Sequence, residues 1–326
     1  MSFLDIYGHE RQTAMLQKAI AQKRVGHAYL FSGINAIGKR TLAGKFAMAL
    51  NCEKADKIQD ACGKCSSCLK IQHSSHLDMI LIKPDGQFIR IESIRDLQEQ
   101  MKFKPFEGRW RAVIIDEADK MNDVAANALL KTLEEPSAFN ILMLISSRPH
   151  SMLATIISRC RHMRFNPLPA AAIARFLVGQ KGMEQQKANL IAGLSGGSIG
   201  RALELDQEDI LAYRQEILQI LMETRRDNPV SVLKFSLFFS QDKNEIRQRL
   251  DILNSFFRDA LVLKETRKNE MLINQDQFSS ITALARRLTG EQILQNISIL
   301  TRSWEAIEQN VNKTLTLEAM AFKLNL

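Results

Sequence analysis

The sequence has no long apolar run and no secretion signal. A membrane-spanning helix needs about 18 consecutive apolar residues, and no run in the 326 residues approaches that length. The first residues, MSFLDIYGHERQ, lack a basic segment followed by an apolar core. We therefore expect a cytoplasmic protein with no membrane partner.

The last third of the sequence has almost no residues that break helices. After Pro229 there is no proline, and the only glycine is Gly290. Apolar residues recur there at helical spacing on one face, namely Ile246, Leu250, Leu253, Phe257 and Leu261. This excludes a loop-rich or β-rich region and predicts a helical domain over residues 208–326. We interpret the apolar face as the core of a helical bundle rather than as a cofactor site.

A block of like charge is also absent, although Lys and Arg outnumber Asp and Glu by 44 to 36. The net charge of +8 is compatible with an anionic partner such as DNA. Such a surplus is equally common on proteins that bind no nucleic acid, so charge alone supports that function only weakly.

Short, continuous apolar runs alternate with helical patterns in the first half of the chain. They are AYLFS (28–32), MILI (79–82), AVIID (112–116), ILMLIS (141–146) and, as a fifth candidate, HMRF (162–165). Such runs suit strands that are buried on both faces of a parallel sheet. Their alternation with helices predicts an α/β domain over residues 1–166. NPLP then breaks the pattern, and a small helical domain is predicted over 167–207.

Four of the five cysteines form a C-x9-C-x2-C-x2-C cluster in a polar segment, at Cys52, Cys62, Cys65 and Cys68. Two-residue gaps let neighbouring thiolates face one ion, and four sulfurs complete a tetrahedral shell for Zn²⁺. Unrelated free cysteines prefer apolar surroundings instead. We predict one structural Zn²⁺ in a module at about residues 52–68, with no open position for catalysis.

The segment GINAIGKRT (33–41) is similar to a phosphate-binding loop, G-x-x-x-x-G-K-[ST]. Gly33, Gly38 and Lys39 match the pattern, and in an intact loop the lysine reaches the β- and γ-phosphates. Arg40 stands where a Ser or Thr hydroxyl would bind Mg²⁺, and it has no acceptor atom. Thr41 comes one residue too late and lies about 100° further round the helix.

Ala36 is a second departure within this loop. A side chain there obstructs the close approach of phosphate to the backbone that glycine permits. We therefore expect hydrolysis by this chain to be impaired and ATP and Mg²⁺ to be doubtful ligands. Weak nucleotide binding remains open.

The segment AVIIDEADKM is similar to a Walker B element, because an apolar strand ends in Asp116 and Glu117. In a competent site the aspartate holds Mg²⁺ through water and the glutamate orients the attacking water. The alternative is that Glu117 and Asp119 simply begin a surface helix, where acidic residues suit the helix dipole.

These motifs occur in one order with NALLKTLEEP (127–136) and SRC (158–160). Together they resemble the AAA+ subunits of the bacterial sliding-clamp loader of DNA polymerase III, over nearly the whole chain. The degenerate loop and the short C-terminus favour the delta-prime branch of this family over the ATP-hydrolysing gamma/tau branch. The resemblance implies a RecA-like α/β domain, a helical lid and a helical collar.

The resemblance also implies functional roles. Arg159 would be an arginine finger that reaches the ATP of an adjacent subunit, although a structural ion pair within the chain is an alternative. Ser146 or Ser147 matches the sensor 1 position. Gly200 stands where a sensor 2 arginine is expected, with Arg201 displaced by one. The implied partners are gamma/tau and delta subunits in a hetero-pentamer that loads the sliding clamp on primed DNA.

Three functions are compatible with the sequence. The first is a delta-prime-like subunit with no polymerase activity and an impaired ATPase. The second is an active gamma/tau-like clamp-loader ATPase that uses Lys39, Asp116 and Glu117. The third is a free-standing zinc-containing protein that binds nucleic acid.

Overall fold

The computed structural model describes residues 2–54, 60–206, 210–225, 227–239 and 242–326. Contacts divide the chain into two compact units. The first unit comprises Met1–Phe176 with Gly197–Arg201, and the second comprises Leu177–Gly196 with Ala202–Leu326. The predicted domain boundaries after residues 166 and 207 stay a prediction, and residues 207–209 lie outside the described part of the chain.

The first unit is built on a five-stranded parallel sheet. Its strands are β1 (Ala28–Ser32), β2 (Met79–Ile82), β3 (Arg111–Ile115), β4 (Asn140–Ser146) and β5 (Arg161–Arg164). The strand order is β2-β3-β4-β1-β5, with every neighbouring pair parallel. The predicted α/β class is thereby confirmed. Strands β3, β4 and β5 begin one residue earlier than predicted, at Arg111, Asn140 and Arg161, because polar residues at a strand end still join the backbone ladder. Strands β3 and β5 also end one residue earlier than predicted.

Helices cover both faces of this sheet. They are α1 (Glu10–Ala21), α2 (Lys39–Asn51), α3 (Ser66–Gln72), α4 (Ile91–Met101), α5 (Asp123–Glu134) and α6 (Ala154–Arg159). Along β1, Tyr29 and Phe31 belong to one apolar core, whereas Leu30 belongs to the core on the opposite face. This burial on both faces explains why the strands read as continuous apolar runs.

Parallel strands give the sheet two distinct edges. The carboxyl ends of β1 and β4 lie side by side, because Ser32 pairs with Ser146. The amino ends of β1 and β5 meet at the other edge, where Tyr29 pairs with Arg161. We call the end of the sheet at which the strands finish the carboxyl edge, and the end at which they begin the amino edge. The five residues of β1 separate the two edges by about 15 Å.

The remaining helices include those of the second unit. They are α7 (Ala170–Lys181), α8 (Gln185–Leu194), α9 (Ile199–Asp206), α10 (Ile210–Glu223), α11 (Pro229–Phe238), α12 (Lys243–Thr266), α13 (Phe278–Arg287), α14 (Gly290–Glu308) and α15 (Lys313–Lys323). The predicted helical C-terminal region is confirmed. None of the helices in the described ranges has the length and apolarity needed to span a bilayer.

Helix α12 is the centre of the second unit and packs against α10, α13 and α14. Its apolar face buries Leu253, Phe256 and Phe257 completely. The side chain of Asp242 begins the helix by accepting hydrogen bonds from two backbone amides, which satisfies donors that have no partner within the helix. The stripe seen in the sequence is therefore core, as interpreted.

Candidate functional site

The loop GINAIGKRT follows the carboxyl end of β1 and leads into α2. Gly33 has a φ of 153° and Gly38 a φ of 104°, which favours glycine at both positions. A Cβ at Gly33 would also lie 2.4 Å from the carbonyl oxygen of Phe165. The path of the backbone therefore requires these glycines, whatever the loop binds.

Lys39 is bound by the loop itself. Its Nζ donates hydrogen bonds to the carbonyl oxygens of Gly33 at 2.6 Å and Ile34 at 2.7 Å. Burial lowers the pKa of Lys39 to about 8, although the carboxylates of Asp116 and Asp119 oppose this shift. The ammonium group that would reach a phosphate in an intact loop is thus engaged with backbone carbonyls.

Arg40 pairs with the carboxylate of the Walker B-like strand end. Its Nη1 lies 3.1 Å from Oδ2 of Asp116. The side chain of Asp116 is 17% exposed and that of Arg40 56% exposed. A tethered cation therefore lies beside the carboxylate that would hold Mg²⁺ in a competent site. Thr41 is exposed on α2 and does not replace the missing hydroxyl ligand.

Residues 198–200 lie against the same loop, a contact that sequence reasoning missed. The backbone amide of Gly200 donates to the carbonyl of Ala36 at 3.0 Å, and the hydroxyl of Ser198 donates to the carbonyl of Asn35 at 3.1 Å. A Cβ at Gly200 would lie 2.7 Å from both Cβ and the carbonyl oxygen of Ala36. The close approach explains why glycine stands where the resemblance predicted an arginine.

The acidic residues beyond β3 are also paired within the first unit. Glu117 has a φ of 51° and forms an ion pair with Lys120 at 2.5 Å. Asp119, whose side chain is 2% exposed, accepts hydrogen bonds from the Ser146 hydroxyl at 2.6 Å and the Ser147 amide at 3.2 Å. Ser146, a candidate for the sensor position, thus donates to an aspartate for which the sequence suggested only a place at the start of a surface helix. The only indication of Asp119 in the sequence is its position two residues after Glu117.

Arg159 lies at the amino edge, away from the loop of its own chain. It is the last residue of α6 and precedes β5 by two positions. Its Nη2 lies 2.8 Å from Oε1 of Glu134, and its Nη1 donates to the carbonyl oxygen of Thr155 at 3.0 Å. Its side chain is 36% exposed. The guanidinium therefore has an internal carboxylate partner and remains accessible.

A cavity of about 450 Å³ opens beside this arginine. Its lining includes Arg159, Arg161, His27, Trp110 and Asn140, all of which lie at or next to the starts of strands. Cys160 also lines it, and burial raises the pKa of that thiol to about 12. A thiol with this pKa is neutral near pH 7, which is typical of a structural cysteine rather than a reactive one.

The four clustered cysteines come together beyond the end of α2. Their sulfur atoms all lie within 4.8 Å of one another, and the sulfurs of Cys62 and Cys68 are 4.0 Å apart. A tetrahedral ion with Zn–S bonds of about 2.3 Å places its sulfurs about 3.8 Å apart. A small inward movement therefore completes the shell, and the residues fit Zn²⁺. Residues 55–59 of the predicted module lie outside the described ranges.

Backbone amides support the same sulfurs. The Cys52 sulfur accepts from the amides of Lys54 and Cys62, both at 3.4 Å, and the Cys62 sulfur accepts from the amide of Cys65 at 3.3 Å. A hydrogen bond from the Lys64 amide is the main cause that lowers the pKa of Cys62 to about 6. Burial raises the pKa of Cys68. Amide donors of this kind stabilise the thiolate form that a metal ion requires.

Known proteins share these features in the same order. Residues 8–169 match the family model described as "DNA polymerase III, delta subunit", and residues 208–325 match "DNA polymerase III, delta subunit, C terminal". The DNA polymerase III subunit delta' of Bacillus subtilis is 30% identical over 318 residues, which cover 96% of this chain and 95% of that protein. The chain belongs to the delta-prime family of clamp-loader subunits.

Other members of the wider family align less completely. The subunit delta' of Pseudomonas aeruginosa is 34% identical over 64% of this chain and 64% of that protein. The subunit tau of Bacillus subtilis is 29% identical over 99% of this chain, which spans 61% of the length of tau. The predicted membership of the clamp-loader family of DNA polymerase III is confirmed, whereas the roles of the individual site residues stay predictions.

Proposed function

We propose that this delta-prime family member completes the clamp-loader ring and presents Arg159 to the ATP of an adjacent subunit. The observation that carries the proposal is the place of Arg159 at the amino edge. About 15 Å of sheet separates it from the loop at residues 33–41, so it does not serve the nucleotide site of its own chain. Its partial exposure, 36% of the side chain, leaves it available to another subunit.

The carboxyl edge supports a subunit that does not hydrolyse ATP itself. Arg40 supplies a positive charge at Asp116, where an intact site places Mg²⁺, and Lys39 donates to two carbonyls of its own loop. Binding of a magnesium nucleotide would require both arrangements to open. An arginine supplied in trans contributes a factor of about 10³–10⁵ to phosphoryl transfer in other systems, so the chain can promote hydrolysis without performing it.

The partners follow from membership of the family. Relatives of this chain are the delta' and tau subunits of DNA polymerase III, which supports assembly with gamma/tau and delta subunits in a hetero-pentamer. That assembly would act on the sliding clamp and primed DNA. We expect no polymerase activity from this chain, and we assign the four cysteines to one structural Zn²⁺.

An active clamp-loader ATPase is the second candidate. It is favoured by the presence of Lys39, Asp116 and Glu117 at the carboxyl edge, where ligands bind in open α/β sheets. In that case the ion pair of Arg40 would open when Mg²⁺ and ATP arrive.

A pair of variants distinguishes the two candidates in the reconstituted loader. Arg159→Ala should leave the chain folded and lower the DNA-dependent ATPase of the complex at least tenfold, because the adjacent site loses its finger. Lys39→Ala should leave that activity unchanged. Loss of activity with Lys39→Ala and full activity with Arg159→Ala would establish this chain as the hydrolysing subunit instead.

A further inference from the structure

The ion pair of Arg159 connects two helix ends at the amino edge. Glu134 is the last residue of α5, and Arg159 is the last residue of α6. Their charged atoms, Oε1 and Nη2, lie 2.8 Å apart. Both helices direct the partial negative charge of their carboxyl ends toward this region. The guanidinium is therefore held where the fold itself favours a cation.

This pair contributes little to the stability of the fold. The side chains of Arg159 and Glu134 are 36% and 50% exposed, and ion pairs at that level of exposure have small net energies. The pair instead restricts the rotamers of an arginine, a side chain with many accessible conformations. Its main physical consequence is the direction in which the guanidinium points.

The contacts leave part of the guanidinium available. Arginine carries five N–H donors. Among the residues that the structure describes, Arg159 uses one nitrogen for Glu134 and another for the Thr155 carbonyl. Donors on Nε and on both terminal nitrogens remain for a phosphate group.

We propose that Glu134 is a positioning residue for the arginine finger, an inference that rests on the trans role of Arg159. In the adjacent site, water attacks the γ-phosphorus, the bond to the β,γ-bridging oxygen breaks, and ADP and phosphate result. Negative charge is spread over the γ-phosphoryl oxygens during this step. The ion pair with Glu134 already restricts the rotamers of Arg159. The remaining donors of Arg159 therefore meet the charge on the γ-phosphoryl oxygens without a further loss of rotamer freedom.

The chain offers a matched control one residue away. Glu135 is exposed and follows Glu134 at the end of α5, where its backbone amide donates to the carbonyl of Lys131. Glu135→Ala removes the same charge from the same helix end. It leaves the contact between Glu134 and Arg159 in place, so it separates positioning from a general change of surface charge.

The test measures steady-state ATP hydrolysis by the reconstituted loader with clamp and primed DNA. Glu134→Ala should lower kcat about tenfold with unchanged KM for ATP, because misplaced catalytic groups cost rate rather than affinity. Glu134→Gln keeps an oxygen at the position that lies 2.8 Å from Nη2 and should recover at least half of the activity. Glu135→Ala should match the unmodified chain, and all three variants should unfold at the same temperature.

Combination with Arg159→Ala separates failure of this inference from failure of the proposed function. If Glu134 acts through the finger, Glu134→Ala has no further effect in the Arg159→Ala background. An unchanged or higher kcat for Glu134→Ala, beside a large loss for Arg159→Ala, would overturn the positioning role alone. Full activity of Arg159→Ala would overturn the trans finger itself.

Discussion

The carboxyl edge and the amino edge of the sheet differ in how their charged groups are used. At the carboxyl edge Lys39 is bound by loop carbonyls, Arg40 by Asp116, and Glu117 by Lys120. At the amino edge Arg159 has one carboxylate partner and faces a cavity of about 450 Å³. The sheet thus carries engaged charged groups at its carboxyl edge and an accessible cation at the opposite end.

The four clustered cysteines lie on the side of the amino edge. Helix α2 begins with Lys39 at the carboxyl edge and ends at Asn51, and Cys52 follows as the first of the four clustered cysteines. Loss of the metal should therefore weaken the region around the end of α2 and leave the loop at residues 33–41 intact.

The largest expected effect is that of removing a zinc ligand. Cys65→Ser should lower the free energy of unfolding of the first unit by about 4 kcal/mol, because loss of a structural metal is among the most destabilising changes. Thermal unfolding and metal content of the purified chain measure it, and Cys160→Ser serves as the control. Zinc content near zero in stable, unmodified protein would contradict the assignment.

The next-largest effect tests the packing of residues 198–200 against the loop at residues 33–41. Gly200→Ala places a Cβ 2.7 Å from Ala36 and should cost about 1–3 kcal/mol, as overpacking does. In the part of the chain that the structure describes, a Cβ at Gly44 in α2 would meet no atom within 4 Å beyond its neighbours and its own helix backbone. Gly44→Ala should therefore be neutral or stabilising. Equal stability of the two variants in denaturant unfolding would mean that residues 198–200 do not pack against the loop.

The contrast between the edges also shows what the sequence could and could not provide. Continuous apolar runs predicted the strands, and the lack of proline and glycine after Pro229 predicted the helical C-terminal region, because burial and backbone geometry leave direct patterns. Cysteine spacing predicted the cluster, because two-residue gaps let neighbouring thiolates face one ion. The motif mismatch at Arg40 was visible, but its pairing with Asp116 was not.

Contacts between distant segments were the part that local patterns could not reveal. Nothing adjacent to Asp119 indicates Ser146, which lies 27 positions later. The approach of Gly200 to Ala36 depends on the path of the chain between them. Glu134 was interpreted only as part of a family motif, because its partner Arg159 lies at the end of the next α-helix, with strand β4 between them.

The pKa of Lys39 gives a pH-dependent test of the carboxyl edge. This pKa is about 8 in the fold, below the ordinary value of 10.5, so between these values the unfolded chain binds more protons. Stability contributed by this site should therefore rise with pH across that window, by on the order of 1 kcal/mol. Denaturant unfolding of the unmodified chain and of Lys39→Met at pH 7.5 and 9.5 measures the difference. An identical pH dependence would show that Lys39 is not buried against the loop.

Arg40→Thr should change stability the least, and it is the most direct test of the difference between the carboxyl edge and the amino edge. The substitution restores G-x-x-x-x-G-K-[ST] and removes the cation from Asp116, at a cost of about 0–1 kcal/mol for an exposed pair. If the tethered guanidinium keeps Mg²⁺ away, the variant should bind ATP more tightly with Mg²⁺ than with EDTA, as measured by calorimetry. Arg40→Lys keeps a cation and is the matched control, for which Mg²⁺ should make no difference. If Arg40→Thr behaves like Arg40→Lys, the charge of Arg40 is not what keeps the magnesium nucleotide away. Ala36 and residues 198–200 would then be the cause, because they continue to block the loop after the arginine is gone.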